Sequence, residues 1–594
     1  MRLKYNKTGK GNCYYIIRSV YKNGKNTSEI YEKLGYPAEI MEKYHCSDPF
    51  QWIQEHLDQL NEQERADKNL KVLVPFRPSL LIPKGELQSY NIGYLFLQKI
   101  YHELSMDLIA SHITKRHHFQ YDMDAILSRL IYGRILFPGS KLSTCRLSGD
   151  LLERPDFEYH QVERALSVIA SEFDTIQAEL YKFSSSAVPR KTGVLYYDCT
   201  NFYFEIEEED SISNEEADEK DTAARKYGQC KQHQPSPIVQ MGLFMDYSGI
   251  PLAICIGRGN RNEQTTLIPL EEKILQDFEL AKFVVCTDAG LASEANRQFN
   301  NYGERSFVTT VSIKTMDDSL KTWCLEPSGW SLEGSKESFN IEHLEDTDED
   351  KEKNHDKIFY KLKYIEGYDE KRDIEFNQTL IVTFSLKYRN YLRRKRDGQV
   401  QRAQAAIAGN HSSLEKKNQH DFRRFVKQET QNSKGKKAAL SYSLNEEKIA
   451  EEQKYDGFYA VETNLDDNVS DILKINRGRW EIEESFRIMK DEFLSRPAYL
   501  SRADRIKAHF MTCFMSLLVY RVLEKRLGSR YTCDQIVSTL RNMRVTRAKD
   551  LGYIPSYTRT DLTDALHEYA GFRTDYEITR EKTMKGIIRK SKMR

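Results

Sequence analysis

The sequence has no excess of charge of either sign, since 89 Lys and Arg residues balance 89 Asp and Glu residues. This balance alone argues neither for nor against a nucleic-acid partner. The ten cysteines are scattered, without a Cys-x-x-Cys pair or a zinc-like spacing to histidine, so we expect free thiols. The first residues lack the apolar core of a signal peptide, and we expect no segment that reaches the length of a membrane span. The sequence therefore predicts a soluble protein of a reducing compartment, with no membrane partner.

Charge is placed unevenly along the chain. Ten acidic residues lie between Glu205 and Asp221, whereas fifteen Lys and Arg residues face only four acids between Lys387 and Lys437. Such a basic block is a candidate surface for a polyanion, although a solvated, flexible loop explains it equally well. The acidic segment is either a solvated excursion or a competitor with DNA for that basic surface.

The pattern of strands and helices over residues 190–313 indicates an α/β core. Residues 194–200 form an apolar strand pattern that carries Asp198, although Asp opposes strand propensity. A hairpin, a helix, a second apolar strand ending at Asp288, a further helix and a further strand follow. This order predicts the fold class α/β, with a ribonuclease H-like core and a long β-rich insertion, preceded by a small β-containing module and a helical module.

We expect six consecutive regions in the 594 residues. They are an N-terminal β-containing module (1–75), a helical module that could bind DNA (76–190), the first part of the core (191–313), the insertion with the basic block (314–456), the second part of the core with the catalytic helix (457–530), and a helical C-terminal region with a basic tail (531–594). We expect the tail from Arg589 onwards to be disordered.

Residues 475–490 predict an amphipathic helix with two stripes. The apolar stripe consists of Ile482, Phe486 and Met489. The second stripe places one carboxylate among three cations and consists of Arg479, Glu483, Arg487 and Lys490. On the helix alone, a solvated face of salt bridges explains this second stripe as well.

Three carboxylates, when considered together, indicate a metal site. A strand-end aspartate is more often a cap or turn residue, but two neighbouring strands would bring Asp198 and Asp288 to one sheet end, where a helix could add Glu483. Hard oxygen ligands of this kind suit Mg²⁺ or Mn²⁺, and a pair of such ions supports in-line phosphoryl displacement. We therefore predict that the three carboxylates are catalytic and hold Mg²⁺ or Mn²⁺, as two ions.

With these residues in place, the sequence resembles the DDE transposases of bacterial insertion sequences, in the group with a β-rich insertion before the final Glu. Their signature Tyr-x2-Arg-x3-Glu-x6-Lys matches at Arg479, Glu483 and Lys490, with Asn476 in place of the Tyr. Asp198-Cys-Thr200 and Thr287-Asp288-Ala-Gly290 look like the family's first and second acids. Similarity also covers Leu34-Gly35, Pro138-Gly-Ser-Lys141, Gly259-Asn260-x-x-Glu263-x-x-Thr266-Leu267, Asp456-Gly-Phe-Tyr and Arg505-Ile-x-Ala-His509.

The resemblance implies a transposase that binds double-stranded DNA at the terminal inverted repeats of its insertion sequence, as a homodimer on paired ends. It implies metal-dependent cleavage and strand transfer to target DNA, in the bacterial cytoplasm and associated with the nucleoid. The implied DNA-binding residues are Arg479, Arg487, Lys490 and Asn476. Trp323 or Trp330 of the insertion would stack a flipped base, unless both are core residues.

Two other functions fit the same residues. One is a metal-dependent nuclease of the same fold that cuts without joining. The other is a transposase-derived DNA-binding protein without catalysis, against which the intact Asp198, Asp288 and Glu483 argue.

Overall fold

The computed structural model describes residues 1–9, 11–22, 25–66, 74, 78–211, 223–231, 234–409, 421–431, 439–496 and 498–594. The chain forms two compact units, Met1–Lys84 and Gly85–Arg594. Asn23-Gly24, a dipeptide that predicts a turn between two strands, lies outside the described residues, as do the second half of the acidic segment and two parts of the basic block.

The first unit is an antiparallel sheet followed by two helices. Its elements are β1 (Arg2–Thr8), β2 (Gly11–Lys22), β3 (Lys25–Gly35), α1 (Pro37–Tyr44) and α2 (Pro49–Ala66). Tyr14 and Ile16 alternate along β2 and so face the same side, where they meet Leu34, Ile40 and Ile53 in one buried cluster. The unit therefore has a small core of its own.

Helices dominate the start of the second unit. In chain order the elements are β4 (Ser89–Asn91), α3 (Tyr94–Glu103), α4 (Met106–His117), α5 (Met123–Leu136), α6 (Lys141–Leu147), α7 (Tyr159–Ser171) and α8 (Phe173–Ala187). A long helix from much later in the chain, Ala503–Arg526, packs against α3, α5, α7 and α8. Every residue from 508 to 523 of that helix is buried, which makes it the axis of this layer.

The helix Ala503–Arg526 corrects one expectation from the sequence. It is long and apolar enough to cross a membrane, whereas no segment was expected to reach that length. However, 94% of its apolar stretch is buried inside the protein. Its hydrophobicity is explained by a core that surrounds it on all sides.

A mixed sheet forms the centre of the second unit. Its first strands and the helices between them are β5 (Val194–Tyr203), β6 (Ile238–Asp246), β7 (Pro251–Arg258), α9 (Leu267–Asp277), β8 (Val284–Thr287), α10 (Glu294–Phe299) and β9 (Ser306–Val311). In space these strands run β7-β6-β5-β8-β9. The first three form an antiparallel meander, while β8 lies parallel to β5 and β9 lies parallel to β8. This is the strand order of a ribonuclease H-like core, so the predicted fold class is confirmed.

The β-rich insertion extends this same sheet. Its elements are α11 (Asp318–Leu325), β10 (Ser331–Leu332), α12 (Asp348–Asn354), β11 (Phe359–Ile365), β12 (Tyr368–Asp369), β13 (Ile374–Glu375), β14 (Gln378–Phe384), α13 (Leu386–Ala408), β15 (Val426–Gln431), β16 (Ala439–Leu444) and α14 (Glu446–Gln453). Strand β17 (Phe458–Thr463) pairs antiparallel with β9, and β14, β11 and β10 continue outward from β17. The insertion and the core therefore share one continuous sheet, while β12-β13 and β15-β16 form small hairpins beside it.

The chain then returns to the core and ends in helices. The last elements are α15 (Val469–Arg477), α16 (Trp480–Arg487), a π-helical turn (Ile488–Glu492), α17 (Ala503–Arg526), α18 (Cys533–Asn542), β18 (Arg544–Ala548), β19 (Gly552–Pro555), α19 (Asp561–Ala570) and α20 (Glu581–Ser591). Strand β18 pairs with both β19 and β4, and so joins the end of the chain to the start of the second unit.

The basic end of the chain is ordered, and the prediction of a disordered tail was wrong. Ser591 is buried and accepts a hydrogen bond of 3.0 Å from Gln98. Lys592 forms an ion pair with Glu153 at 2.6 Å, and Arg594 with Asp107 at 2.8 Å. These acidic partners lie more than 400 residues earlier in the chain, so local composition does not reveal them.

Two of the segments singled out in the sequence, 138–141 and 505–509, meet inside the helical layer. Lys141 is buried, and its ammonium lies 3.4 Å from His509 Nδ1. Burial, together with the nearby charge of Arg134, lowers the pKa of Lys141 to about 7. His509 Nε2 donates to the Ser495 carbonyl at 3.3 Å, and Arg134 donates to the Phe493 carbonyl at 3.1 Å. This buried basic cluster therefore fixes the backbone that follows the π-helical turn.

Lys141→Met is expected to remove a pH dependence of stability. The folded pKa of about 7 lies below the ordinary value of 10.5, so between these values the unfolded state binds one more proton than the folded state. The free energy of unfolding of the wild type should therefore rise with pH across this window relative to that of Lys141→Met. Urea unfolding at pH 7 and at pH 9.5 measures the free energy of unfolding of both proteins. If the wild type and Lys141→Met differed by the same free energy at both pH values, the low pKa of Lys141 would be contradicted.

Candidate active site

Asp198 and Asp288 lie beside each other because their strands are parallel neighbours. Strands β5 and β8 pair up to Tyr196 and Cys286, and each aspartate stands two residues beyond that pair. Burial raises the pKa of Asp198 to about 7; the charge of Lys231 opposes this rise and that of Asp288 adds to it. The structure therefore brings together the first two of the predicted acids.

The oxygen atoms of these aspartates fit a hard divalent cation. Asp198 accepts the Cys199 N–H on Oδ1 at 2.7 Å. Asp288 Oδ1 is buried and has no hydrogen-bond partner among the described residues. A buried carboxylate oxygen without a partner is costly unless a donor or a cation meets it. Carboxylate oxygens are the ligands that Mg²⁺ and Mn²⁺ prefer, so the pair suits such an ion.

Glu483 stands apart from the two aspartates. It lies on α16, which packs against β5, but its side chain is 65% exposed and forms an ion pair of 3.7 Å with Arg479. In the part of the chain that the structure describes, Asp198, Asp288 and Glu483 do not form a group of ligand atoms within 4.8 Å of one another. The role of Glu483 as the third acid therefore stays a prediction.

Two cations of the predicted stripe lie at the aspartates. Arg479 is only 14% exposed in its side chain, donates to Thr310 Oγ1 at 3.2 Å and lowers the pKa of Asp198 by its charge. Lys490 lies in the π-helical turn and donates to Thr200 Oγ1 on β5, two residues beyond Asp198. Burial lowers the pKa of Lys490 to about 8. Lys490 is thus held against β5 beside Asp198, while Arg479 is held against β9 with its charge acting on Asp198.

Arg487 belongs to a local salt-bridge face. It pairs with Glu484 at 2.7 Å and with Glu492 at 3.3 Å, and its side chain is 45% exposed. The solvated interpretation of the second stripe is therefore appropriate for this residue in the free protein. The apolar stripe (Ile482, Phe486 and Met489) is buried as predicted.

Asn476 is buried and holds several strands together. Its side chain donates to the Tyr459 hydroxyl at 2.8 Å and accepts from Thr310 Oγ1 at 3.3 Å. The Cys286 thiol points at the same Oδ1 from 3.8 Å. Asn476 thereby connects β8, β9 and β17 beneath Arg479, and its contact with DNA stays a prediction.

Sequence reasoning missed the polar residues that position this site. Lys231, Thr200, Thr310 and Tyr459 all touch or face the predicted residues, yet no role at the site was predicted for them. Thr200 and Tyr459 offered a weak signal through the similarities at Asp198-Cys-Thr200 and Asp456-Gly-Phe-Tyr. Lys231 and Thr310 are brought in by strand pairing and by a loop closure that local periodicity does not encode.

The tryptophans of the insertion are held by its core. Trp330 is fully buried, and its indole N–H donates to the Glu326 carbonyl at 2.9 Å. Trp323 is partly buried, with the ammonium groups of Lys361 and Lys363 near its ring. The core interpretation is therefore correct for Trp330.

A second cluster of ligand-type side chains lies in the C-terminal region. Among the described residues, only Asp564, His567 and Asp575 place three potential ligand atoms within 4.8 Å of one another. Arg573 forms ion pairs with both carboxylates, and Arg559 lies 3.0 Å from Asp564. These arginines neutralise the carboxylates, so the cluster is a network of ion pairs.

The sequence matches the family described as "Transposase DDE domain" over residues 211–519, which is more than half of the chain. The chain belongs to the transposase DDE domain family. The matched stretch contains Asp288, Glu483 and Lys490, while Asp198 precedes it. The resemblance found in the sequence is thus confirmed at the level of a DDE transposase, and enzymes of this family generally use divalent metal ions.

Among solved structures, the chain is similar to a piggyBac transposase in a synaptic complex with hairpin DNA. The identity is 8%, the TM-score is 0.31, and the likeness covers 76% of this chain and 78% of that one. None of the curated proteins matches the sequence.

Asn476→Ala is expected to lower the free energy of unfolding of this DDE-family protein by about 1–3 kcal/mol, because Tyr459 and Thr310 lose a buried hydrogen-bond partner. Denaturant unfolding measures this loss. Asn468→Ala is the matched control, since Asn468 is exposed and its side chain does not cap α15. If Asn476→Ala weakened DNA binding without lowering stability, Asn476 would instead be a direct DNA contact.

Proposed function

We propose that this protein is a transposase that binds the terminal inverted repeats of its own insertion sequence, cleaves DNA at their ends and joins those ends to target DNA. The observation that carries the proposal is the pair of partly buried aspartates Asp198 and Asp288, each two residues beyond the last pair of two parallel strands, in a member of the transposase DDE family. Two carboxyl groups side by side disfavour each other's charged form, and such pairs are found at sites where a cation or a reaction uses them.

In this proposal Asp198, Asp288 and Glu483 hold two Mg²⁺ or Mn²⁺ ions. When bound, such ions supply an activated water and stabilise the attacking and leaving oxygens of an in-line phosphoryl displacement. The strands fix the positions of the two aspartates. Glu483 has an exposed side chain with one weak ion pair, so it can turn towards the aspartates at little cost.

Arg479 and Lys490 would bind phosphates beside the cleaved bond. Each is oriented by a threonine hydroxyl from the sheet, Thr310 and Thr200 respectively. A cation held in place loses less conformational entropy when a phosphate arrives than a freely moving one. Arg487 would reach DNA only by exchanging its pairs with Glu484 and Glu492 for phosphate.

Helix α13 would bind the part of the DNA that lies outside the catalytic centre. Arg394 and Lys395 are exposed on it and form no ion pair with a described residue. The exposed rings of Tyr388 and Tyr391 stack on the same helix, 6.3 Å apart. Cations attract the phosphate backbone and aromatic faces accept bases.

A cavity of about 350 Å³ lies between α13 and β17. Lys395 and Tyr388 line it on the helix side and Tyr459 on the strand side. Tyr459 also bonds to Asn476, and both bond to Thr310, the hydroxyl that accepts from Arg479. We infer that one DNA segment contacts both α13 and Arg479.

The assembly and the place of action follow from the same proposal. Two copies of the protein would hold the paired ends of one element, since each end offers one copy of the terminal repeat. The partners are double-stranded DNA at the repeats and at the target, in the bacterial cytoplasm at the nucleoid.

Glu483→Gln and Asp288→Asn are each expected to abolish nicking at the repeat boundary while binding to repeat DNA persists. Each change removes a metal-binding charge and keeps the size of the side chain. A labelled fragment carrying the gene's flanking repeats, incubated with Mg²⁺, Mn²⁺ or EDTA, measures nicking and joining. Glu484→Gln is the matched control, because Glu484 neighbours Glu483 but pairs with Arg487.

The same assay separates the other two functions. Nicking without joining to a target fragment would make the protein a nuclease. Tight repeat binding without nicking in any metal would make it a DNA-binding protein. Nicking that persists in Glu483→Gln would remove Glu483 from the site.

The double substitution Arg394→Gln and Lys395→Gln is expected to flatten the salt dependence of DNA binding by roughly two units, because each phosphate contact contributes about 0.9 to the slope. Fluorescence anisotropy with salt titration measures the slope. Lys387→Gln is the control on the same helix, since Lys387 is paired with Asp356 at 2.9 Å. An unchanged slope in the double variant would exclude this face of α13 as a DNA surface.

A further inference from the structure

Lys231 is a cation at the aspartate pair that lies outside the Arg479–Lys490 motif. Its ammonium donates to the carbonyl of Cys199, the residue that follows Asp198 on β5. It also forms an ion pair of 3.3 Å with Glu263, and its side chain remains 40% exposed. The Lys231 ammonium therefore lies against the strand of Asp198, next to that residue, and its side chain still faces solvent.

The position of Lys231 is fixed by a buried clamp. The side chain of Asn201, further along β5 and only 2% exposed, donates to the Gln229 carbonyl at 3.1 Å. The same side chain accepts the Lys231 N–H at 3.2 Å. The backbone at Lys226 and Ile238 adds a mutual pair of hydrogen bonds. The segment 223–231 is thus attached to the core sheet where β5 carries its catalytic acid.

Lys231 is surrounded by several carboxylates, whereas a lysine of an ordinary surface ion pair has one. Burial lowers the pKa of Lys231, but the carboxylates of Asp198, Glu263 and Asp288 raise it, and the net shift is upward. Lys231 is also the strongest charge that opposes the raised pKa of Asp198. Its ammonium therefore balances the aspartate pair in the free protein.

We propose that Lys231 is a further catalytic residue, which contacts the phosphate at the cleavage position while Glu263 holds its side chain in place. The proposal rests on the proposed function. Once divalent ions neutralise Asp198 and Asp288, the ammonium loses the attraction of these carboxylates. The phosphate that arrives at the same carboxylates is then the nearest anion that is not already paired.

The arrangement surrounds that phosphate with cations from separate elements. Arg479 comes from the start of α16, Lys490 from the π-helical turn and Lys231 from the segment that leads into β6. Each is anchored independently, by Thr310, Thr200 and the Asn201 clamp. A phosphate between these three cations would be stabilised by all of them, and their side chains would need little reorganisation when it binds.

The first experiment tests the phosphate contact with one neutral phosphate. Repeat-end DNA is made with a methylphosphonate at the cleaved position, and binding is measured in Ca²⁺ after confirming that Ca²⁺ does not support cleavage. Wild-type protein is expected to lose about tenfold in affinity, the equivalent of one charged contact of about 1.4 kcal/mol. Lys231→Gln should bind normal DNA more weakly and show little further loss with the methylphosphonate.

Two variants serve as controls for this experiment. Lys226→Gln changes a lysine of the same segment that pairs with Glu209 at 3.1 Å, and it should behave like the wild type. Lys231→Arg keeps the charge and should restore most of the affinity. An equal methylphosphonate effect in Lys231→Gln and in the wild type would overturn the proposal.

The second experiment measures Mn²⁺ binding without DNA, by calorimetry. Removing a cation beside the carboxylates should make Lys231→Gln bind Mn²⁺ several-fold more tightly, because like charges no longer repel. A lysine with only a structural role would loosen the site and weaken Mn²⁺ binding. Higher metal affinity together with slower cleavage is therefore the expected signature.

The two measurements distinguish a failure of the proposed function from a failure of the role proposed for Lys231. If the wild type neither binds Mn²⁺ nor nicks repeat DNA, the proposed function fails. If the wild type does both and Lys231→Gln matches Lys226→Gln in both assays, only the role of Lys231 fails. Should Lys231→Gln not fold, Glu263→Gln retains the ammonium and removes its anchor, and it should still reduce the methylphosphonate effect.

Discussion

The parallel pairing of β5 with β8 sets two partly buried aspartates side by side, and the cost of holding negative charge at this place is the constraint on which the site depends. Burial and the charge of Asp288 raise the pKa of Asp198 to about 7, against the opposing charges of Lys231 and Arg479. Such a pair is tolerable in the free protein because cations from different elements share its charge. The same cations would become available to an incoming polyanion if a metal ion neutralised the aspartates. In the proposed function, neutralisation of the acids would therefore favour DNA binding.

The insertion acts on this site through the sheet. Strand β17 pairs directly with β9, and its Tyr459 bonds to both Thr310 and Asn476. Thr310 Oγ1 in turn accepts a hydrogen bond from the guanidinium of Arg479. A shift of the insertion on binding DNA would therefore reach Arg479 through two or three hydrogen bonds, without passing through a flexible linker. Because the insertion continues the sheet outward from β17, it can lie between β9 and α16 in the chain without disrupting the core.

The sequence predicted those parts of the structure that local periodicity encodes. Strands β5 to β9 were visible because strands covered on both faces leave continuous apolar runs, and the buried stripe of Ile482, Phe486 and Met489 follows from helical spacing. The π-helical turn at Lys490 was not visible, because a single extra residue in a helical turn barely changes the apolar pattern. Lys231 and the ordered C-terminus were missed for another reason. Their partners are Asn201, Glu153 and Asp107, which local composition does not connect to them.

The separation of Glu483 from the aspartates has a physical explanation in the spacing of its own motif. Arg479 and Glu483 are four residues apart, so one face of the helix carries both and allows their ion pair. In the free protein this pair gives Glu483 a partner and keeps a third negative charge away from Asp198 and Asp288, where it would add to their repulsion. If divalent ions neutralised the aspartates, this repulsion would be lost and Glu483 could turn towards them. Arg479 would then lose its ion pair with Glu483 and would be free to bind a phosphate, so one four-residue spacing would serve both states.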